Sequence, residues 1–141
     1  MKYLLGVDFG GSSSKATLLG KDGRVYATAS QEYSTYYPHN GWAEQDPEDS
    51  WIAFVKNVRS LLAESGVKAE DIVAISLDAA THTAVLLDEN DKPVRNAIYW
   101  TDTRASAEAA ELREKYGSEI INLSYNNVSS LWTLPQLMWL C

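Results

Sequence analysis

The residues of this chain best equipped for chemistry crowd into one octapeptide, Asp8-Phe9-Gly10-Gly11-Ser12-Ser13-Ser14-Lys15. Two adjacent glycines let a backbone approach a ligand closely, three consecutive serines supply hydroxyl and amide donors, and Lys15 supplies a cation. Together they suit a polyphosphate. A carboxylate at Asp8 would repel such a ligand unless a divalent ion stood between them, and magnesium bridges carboxylates and phosphate oxygens in this way. The segment therefore reads as a site for nucleotide plus metal. Gly6 and Gly11 have the separation of P-loop glycines, yet Ser12 stands where that motif requires lysine and the following residues read as a strand. The same arrangement excludes a dinucleotide fingerprint. On composition alone, a glycine- and serine-rich hairpin without a ligand is the alternative.

The elements that must position these residues follow from pattern and turn chemistry. Apolar runs at residues 2–7 and 15–19, a turn at Gly20-Lys21-Asp22-Gly23 and a third run at 24–33 predict a three-stranded meander, with the octapeptide at a hairpin tip. Asp46 as N-cap, Pro47 at the first helical position and Glu48 and Asp49 in the first turn predict a helix. Its apolar residues recur at Trp51, Val55, Val58 and Leu62, with Ile52, Phe54 and Leu61 beside them, and Gly66 is placed to cap its end. Strands are expected at 72–77, 84–87 and 97–100. A second helix is expected over 104–116, with Leu112 and Tyr116 on one face and Gly117 beyond it. A third is expected over 130–141, with Pro135 in its first turn and Leu134, Leu137 and Met138 on one face. No stop signal follows Leu140, which reads as a chain cut within an element.

Composition narrows the function classes. A chain of 141 residues, 45% apolar and 22% charged, has the makings of one globular core rather than a disordered or fibrous segment. Its net charge of −7 and lack of a basic patch argue against nucleic acid and anionic lipid as partners. The apolar run Tyr3-Leu4-Leu5 is too short for a signal peptide, and no stretch reaches the ~18–20 residues of a membrane span. With Cys141 as the single cysteine there is neither a disulfide framework nor a thiolate cluster for zinc, so a reducing, cytoplasmic setting is expected.

Four segments, in order, carry a family resemblance. Residues 7–16 resemble the first phosphate-binding hairpin of the sugar-kinase, actin and Hsp70 superfamily. Gly41-Trp42-Ala43-Glu44-Gln45-Asp46-Pro47, followed by Trp51, resembles the FGGY carbohydrate kinases. Thr81-His82, Leu86-Leu87-Asp88 and residues 92–104 resemble the next segment of that family, and residues 134–139 resemble a fourth. Within the family, the chain is most similar to the kinases of xylulose and their relatives.

The resemblance implies an α/β fold, a ribonuclease H-like mixed sheet with flanking helices, of which residues 1–141 would be an incomplete N-terminal part. It implies ATP as phosphoryl donor, Mg2+ as cofactor and a ketose or polyol as acceptor. Asp8 would attend the metal, and Gly10, Gly11, Ser12, Ser13, Ser14 and Lys15 would hold phosphate. Thr81, His82, Trp100, Asp102 and Arg104 would border the sugar. Trp42, Trp51, Trp132 and Trp139 are expected in core or lid positions. The catalytic Asp base of the family is expected beyond residue 141, so this chain alone would lack kinase activity and, with a sheet edge left bare, would tend to form a homodimer or aggregate. One departure stands out: Asp78-Ala79-Ala80-Thr81-His82 replaces the Ser-Gly-Gln-Met-His of xylulose kinases, which leaves ribulose, glycerol or another polyol open as the acceptor. A non-catalytic phosphate-binding module is the alternative of a different class.

Overall fold

Alternation and turn chemistry become architecture in a computed structural model that describes residues 1–141. The elements run β1 (Tyr3–Phe9), β2 (Ser13–Gly20), β3 (Val25–Glu32), β4 (Glu44–Gln45), α1 (Pro47–Ser65), β5 (Ile72–Ala79), β6 (Ala97–Ile98), α2 (Ser106–Ser124) and α3 (Thr133–Leu140). They divide into two compact units, the first comprising Met1–Ser34 and Asp46–Ala80, the second Thr35–Gln45 and Thr81–Cys141. None of the helices is long and apolar enough to cross a membrane.

The first unit is a four-stranded mixed sheet in the order β3-β2-β1-β5. The expected meander is present, with β1 antiparallel to β2 and β2 to β3, while β5 lies parallel to β1. A parallel partner needs a crossover connection, and the segment containing α1 provides it. Along β1 and β2 the side chains alternate, and Leu5, Val7, Ala16 and Leu18 are buried on one face with Ala27 of β3 and Leu61 of α1.

α1 starts and stops where its sequence says it should. Asp46 accepts the N–H of Glu48 at 2.9 Å, Pro47 begins the helix, and Gly66, at φ 65°, donates its N–H to Leu62. The buried stripe is rotated from the expected one, however, and consists of Ala53, Asn57 and Leu61, while Trp51 is 57% exposed. Leu61 packs on Leu5, Val7, Ala16, Leu18 and Ala27 of the sheet. Within that seam Asn57 Nδ2 donates to the Ser14 carbonyl at 3.0 Å. α1 packs over β2 and β3, so Val73, Ile75 and Leu77 of β5 stay about half exposed or more.

The second unit relies little on strands. β4 and β6 pair antiparallel through Glu44↔Ile98 and Gln45↔Ala97 only. The strand expected at 84–87 reduces to single bridges at Ala84 and Leu87, and the one expected at 97–100 to its first two residues. His82, at φ 54°, lies just before this segment, and Asp91, at φ 59°, lies in the turn that brings Leu87 to Pro93. α2 overruns its expected end at Gly117 and stops at Tyr125 in the left-handed region. Glycine inside a helix costs only ~1 kcal/mol, and the extra turns bring Ile120 onto the cluster of Ala109, Leu112, Val128, Trp132 and Met138. Leu112 is buried as expected, but Tyr116 is 52% exposed, and so is Leu134 of α3.

The seam beneath β2 generates an unequal pair of mutants. Ser14 Oγ and Asn57 Oδ1 are buried without partners, whereas Asn57 Nδ2 satisfies a buried carbonyl. Asn57→Ala is therefore expected to lower stability by about 1–3 kcal/mol, and Ser14→Ala to change it by less than about 0.5 kcal/mol. Urea unfolding midpoints compare the two, and the opposite order would refute this account of the seam.

Candidate functional site

In the first unit the hairpin between β1 and β2 is tied at its tip. Gly10 donates its N–H to the Ser13 carbonyl at 3.0 Å, Tyr33 donates its N–H to the Ser12 carbonyl at 3.0 Å, and the Tyr33 hydroxyl donates to the Gly10 carbonyl. A Cβ at position 10 would lie 3.2 Å from the Ser13 carbonyl oxygen, so the turn closes comfortably only with glycine there. Asp8 and Lys15 stand opposite each other in the β1–β2 register. Alternation sends both to the face away from α1, where they are exposed and have no ion-pair partner.

They line a cleft of about 280 Å³ with Gly6, Thr17, Ser76 and Asp78. Asp78 is in register with Asp8 on the parallel strand, so two carboxylates stand side by side at the carboxyl ends of β1 and β5, with one ammonium across from them. Carboxyl ends of parallel strands are where open α/β sheets bind ligands. Sequence reasoning had treated Asp78 only as a departure from a family pattern. The available signal was its position, one residue from the end of the second parallel strand, just as Asp8 stands one residue from the end of the first. Two carboxylates without ion-pair partners, Asp78 Oδ1 accepting only the Ala79 N–H at 2.9 Å, stand with a lysine opposite and form a donor set that suits a hydrated divalent ion, with the cation left for phosphate.

Ser14 requires a correction. Its side chain is fully buried on the α1 face, where the strand alternation sends it with Ala16 and Leu18, so its hydroxyl cannot meet a ligand on the open face. Ser12, exposed, and Ser13, half-buried, remain for that task.

In the second unit a guanidinium organises the centre. Arg104 Nε lies 2.9 Å from both Asp102 oxygens, and Nη2 donates to Asp102 Oδ2 at 2.7 Å and forms an ion pair with Glu44 Oε1 at 2.8 Å. Its flat face stacks on Trp42 at 3.7 Å, with Trp139 at 5.1 Å. Arg95 Nη2 donates to the same Glu44 Oε1 at 2.8 Å. Asp102 also accepts the N–H of Ala43 at 2.6 Å and of Arg104 at 2.8 Å. The Arg104 and Asp102 side chains are 1% and 0% exposed. Both were expected to border a sugar, but the structure engages them with each other, with the Ala43 N–H and with the Glu44 carboxylate. Nearby, Gly41 has φ 77°, and a Cβ there would meet Thr103 Oγ1 at 2.6 Å, so this contact also requires glycine.

Three candidates of the second unit keep accessible surface. Trp100, 41% exposed, packs edge-on against Tyr99. Thr81 is exposed, and His82 is half-buried with its ring stacked on Trp132 at 6.2 Å. The antiparallel bridge Ala84↔Ile98 lays the His82 and Trp100 segments side by side. No hydrogen bond or ring contact joins the two side chains. Glu44 and Arg95 were not singled out by sequence reasoning; Glu44 lay within the Gly-Trp-Ala-Glu-Gln segment but showed no sign of burial.

Removing the guanidinium would leave Asp102 and Glu44 as buried carboxylates without their common partner. Arg104→Met is therefore expected to cost about 3–5 kcal/mol, whereas Asp8→Asn, at an exposed position, stays within about 0.5 kcal/mol of the parent. Denaturant titration measures both, and an Arg104→Met protein as stable as the parent would contradict the network's role.

Comparison with known proteins adds an independent line. The model of the FGGY family of carbohydrate kinases, N-terminal domain, matches residues 3–141. The xylulose kinase of Bacillus subtilis (strain 168) is 36% identical over 139 residues, which are 99% of this chain and 28% of that protein. The glycerol kinase of Petrotoga mobilis is 39% identical over 121 residues, 85% of this chain and 24% of that protein. Among solved structures, a xyloylose kinase from Brucella ovis superposes with a TM-score of 0.91 at 34% identity, covering 98% of this chain and 29% of that one. The chain thus spans less than a third of the length of these relatives. Its mixed sheet with flanking helices is the ribonuclease H-like fold of the actin, hexokinase and Hsp70 superfamily. With a match that runs nearly from end to end, the chain belongs to the FGGY family of carbohydrate kinases, within their N-terminal domain.

Proposed function

We propose that residues 1–141 form the leading part of an ATP-dependent sugar kinase that transfers the γ-phosphate to a hydroxyl of a ketopentose such as xylulose. The observation that carries this reading is the open face of the first unit, where Asp8 and Lys15 meet across β1 and β2 beside a glycine-serine turn. Similarity to xylulose kinases over 99% of the chain supports the choice of acceptor.

In this reading Asp8 holds Mg2+, which when bound offsets the charge of the polyphosphate. Lys15 and the turn at Gly10–Ser13 bind phosphate oxygens, Lys15 as a point charge and Ser12 and Ser13 through their hydroxyls. In the second unit His82, Thr81 and Trp100 orient the sugar. Asp102 and Arg104 act indirectly, since they fix the backbone that carries Trp100. The attacking hydroxyl oxygen bonds to the γ-phosphorus as the bond to the ADP oxygen breaks. The hydroxyl proton passes to an Asp base outside these 141 residues. Little covalent chemistry is asked of this part, whose contribution is position and charge.

A second acceptor class is favoured by one observation: the glycerol kinase of Petrotoga mobilis is 39% identical over 121 residues, against 36% over 139 residues for the xylulose kinase of Bacillus subtilis. A phosphorylation assay on the longer protein, with Mg-ATP and a series of ketopentoses, hexoses and polyols, separates the two.

Asp8→Asn in that protein is expected to reduce kcat by roughly a hundredfold or more without loss of fold, and the 141-residue chain alone is expected to transfer no phosphate. Sugar-dependent ADP release by the short chain, or an Asp8→Asn enzyme of normal rate, would refute the assignment.

A further inference from the structure

His82 is held in an unusual way for a residue in a loop. Its backbone lies in the left-handed region, at φ 54°, which is uncommon outside glycine. Its ring lies nearly parallel to that of Trp132, at an interplanar angle of 12°. Two groups of Thr133, the first residue of α3, reach the same ring atom: the backbone N–H donates to Nδ1 at 3.4 Å, and Oγ1 lies 3.3 Å from Nδ1.

A backbone N–H can only donate, so the Nδ1 lone pair must accept. A neutral imidazole that accepts at Nδ1 carries its proton at Nε2. We infer that Thr133 is a positioning residue that locks His82 in the Nε2–H tautomer, making it a donor toward a hydroxyl or carbonyl oxygen of the acceptor sugar. No protein group bonds to Nε2. The stack on Trp132 fixes the plane of the ring, and the Thr133 N–H fixes which edge is turned inward. The inference rests on the kinase reading for the identity of the ligand, but not for the tautomer.

The chemistry has a consequence for specificity. An oxygen that receives a hydrogen bond from Nε2 keeps its own proton free to donate elsewhere. A protonated amino substituent at the same place has no lone pair to offer and would meet the N–H head-on, and a deoxy analogue would leave the donor unpaired. The acceptor is therefore one with oxygen at this position.

The geometry of α3 supplies a selective variant. Thr133 is the first helical residue and Trp132 before it is extended, at φ −78° and ψ 149°, which is the backbone that proline accepts at the start of a helix. Thr133→Pro removes the N–H alone among backbone donors, whereas Thr133→Val keeps the N–H and removes the hydroxyl.

The test is the 15N shift pattern of the two histidine rings in the labelled 141-residue chain at about pH 8, where an ordinary imidazole is neutral, with His39→Gln used to assign His82. The expected result is a protonated Nε2 in the parent and in Thr133→Val, and a mixture of tautomers in Thr133→Pro. A parent chain with Nδ1–H or mixed tautomers overturns the proposal, and so does a folded Thr133→Pro chain with an unchanged pattern. Should Thr133→Pro fail to fold, the parent and Thr133→Val spectra decide. In the longer enzyme Thr133→Pro should raise KM for the sugar on the order of tenfold while KM for ATP is unchanged. An active enzyme with parental sugar KM overturns the positioning role alone, whereas a longer protein that phosphorylates neither ketose nor polyol overturns the kinase reading and His82's task with it.

Discussion

Strand β1 is hydrogen-bonded along both edges, and its two faces cannot be altered independently. A slip of one residue would carry Leu5 and Val7 into water and turn Asp8 toward α1, where an unpaired carboxylate would meet Leu18 and Leu61. The apolar core and the exposed position of Asp8 are therefore two results of one register. Lys15 and Asp78 are fixed by the same device, each through its partner position on a neighbouring strand. The carboxylate thus needs no hydrogen bond of its own to be held in place, which leaves its oxygens available.

The second unit solves the positioning problem differently. Two-residue strands supply little ladder, and the apolar cluster of Ala109, Leu112 and Val128 belongs to the helices and the segment between them. The segments at 41–45 and 95–104 are instead joined through Arg104, whose planar fork engages Asp102 and Glu44 while its faces meet tryptophan. A lysine could offer the charge but neither the paired geometry nor the stack. Buried ion pairs contribute less to stability than their Coulomb energy suggests, but they penalise wrong arrangements heavily. In a region with little ladder, that penalty favours one backbone path.

The sequence was most informative where local physics decides structure. The cap at Asp46, Pro47 and Gly66 delimits α1 to the residue because each signal acts within one turn. The meander and the β1–β2 hairpin were legible for the same reason. Ser14 could have been assigned to the core face, since it shares parity with Ala16 and Leu18, but a run of three serines suggested a common role. The burial of Asp102 and Arg104 was not legible, because it depends on Glu44 and Trp42 arriving from about sixty positions away, and no local pattern reports such a meeting. Gly117 misled for a related reason: its cost is local, while the packing of Ile120 that outweighs it is tertiary. The link between His82 and Thr133 also spans a long stretch of chain and left no trace in the spacing of either.

The parallel pairing of β1 with β5 also bears on how the protein folds. β1, β2 and β3 are joined by tight hairpins and can pair quickly, but β5 joins residues about seventy positions from their partners on β1, and closing so large a loop is entropically expensive before any contact rewards it. The row that sets Asp78 beside Asp8 therefore belongs to a late stage of folding. Until then the second edge of β1 is unpaired, and the chain is most vulnerable to association at the strand that carries Asp8.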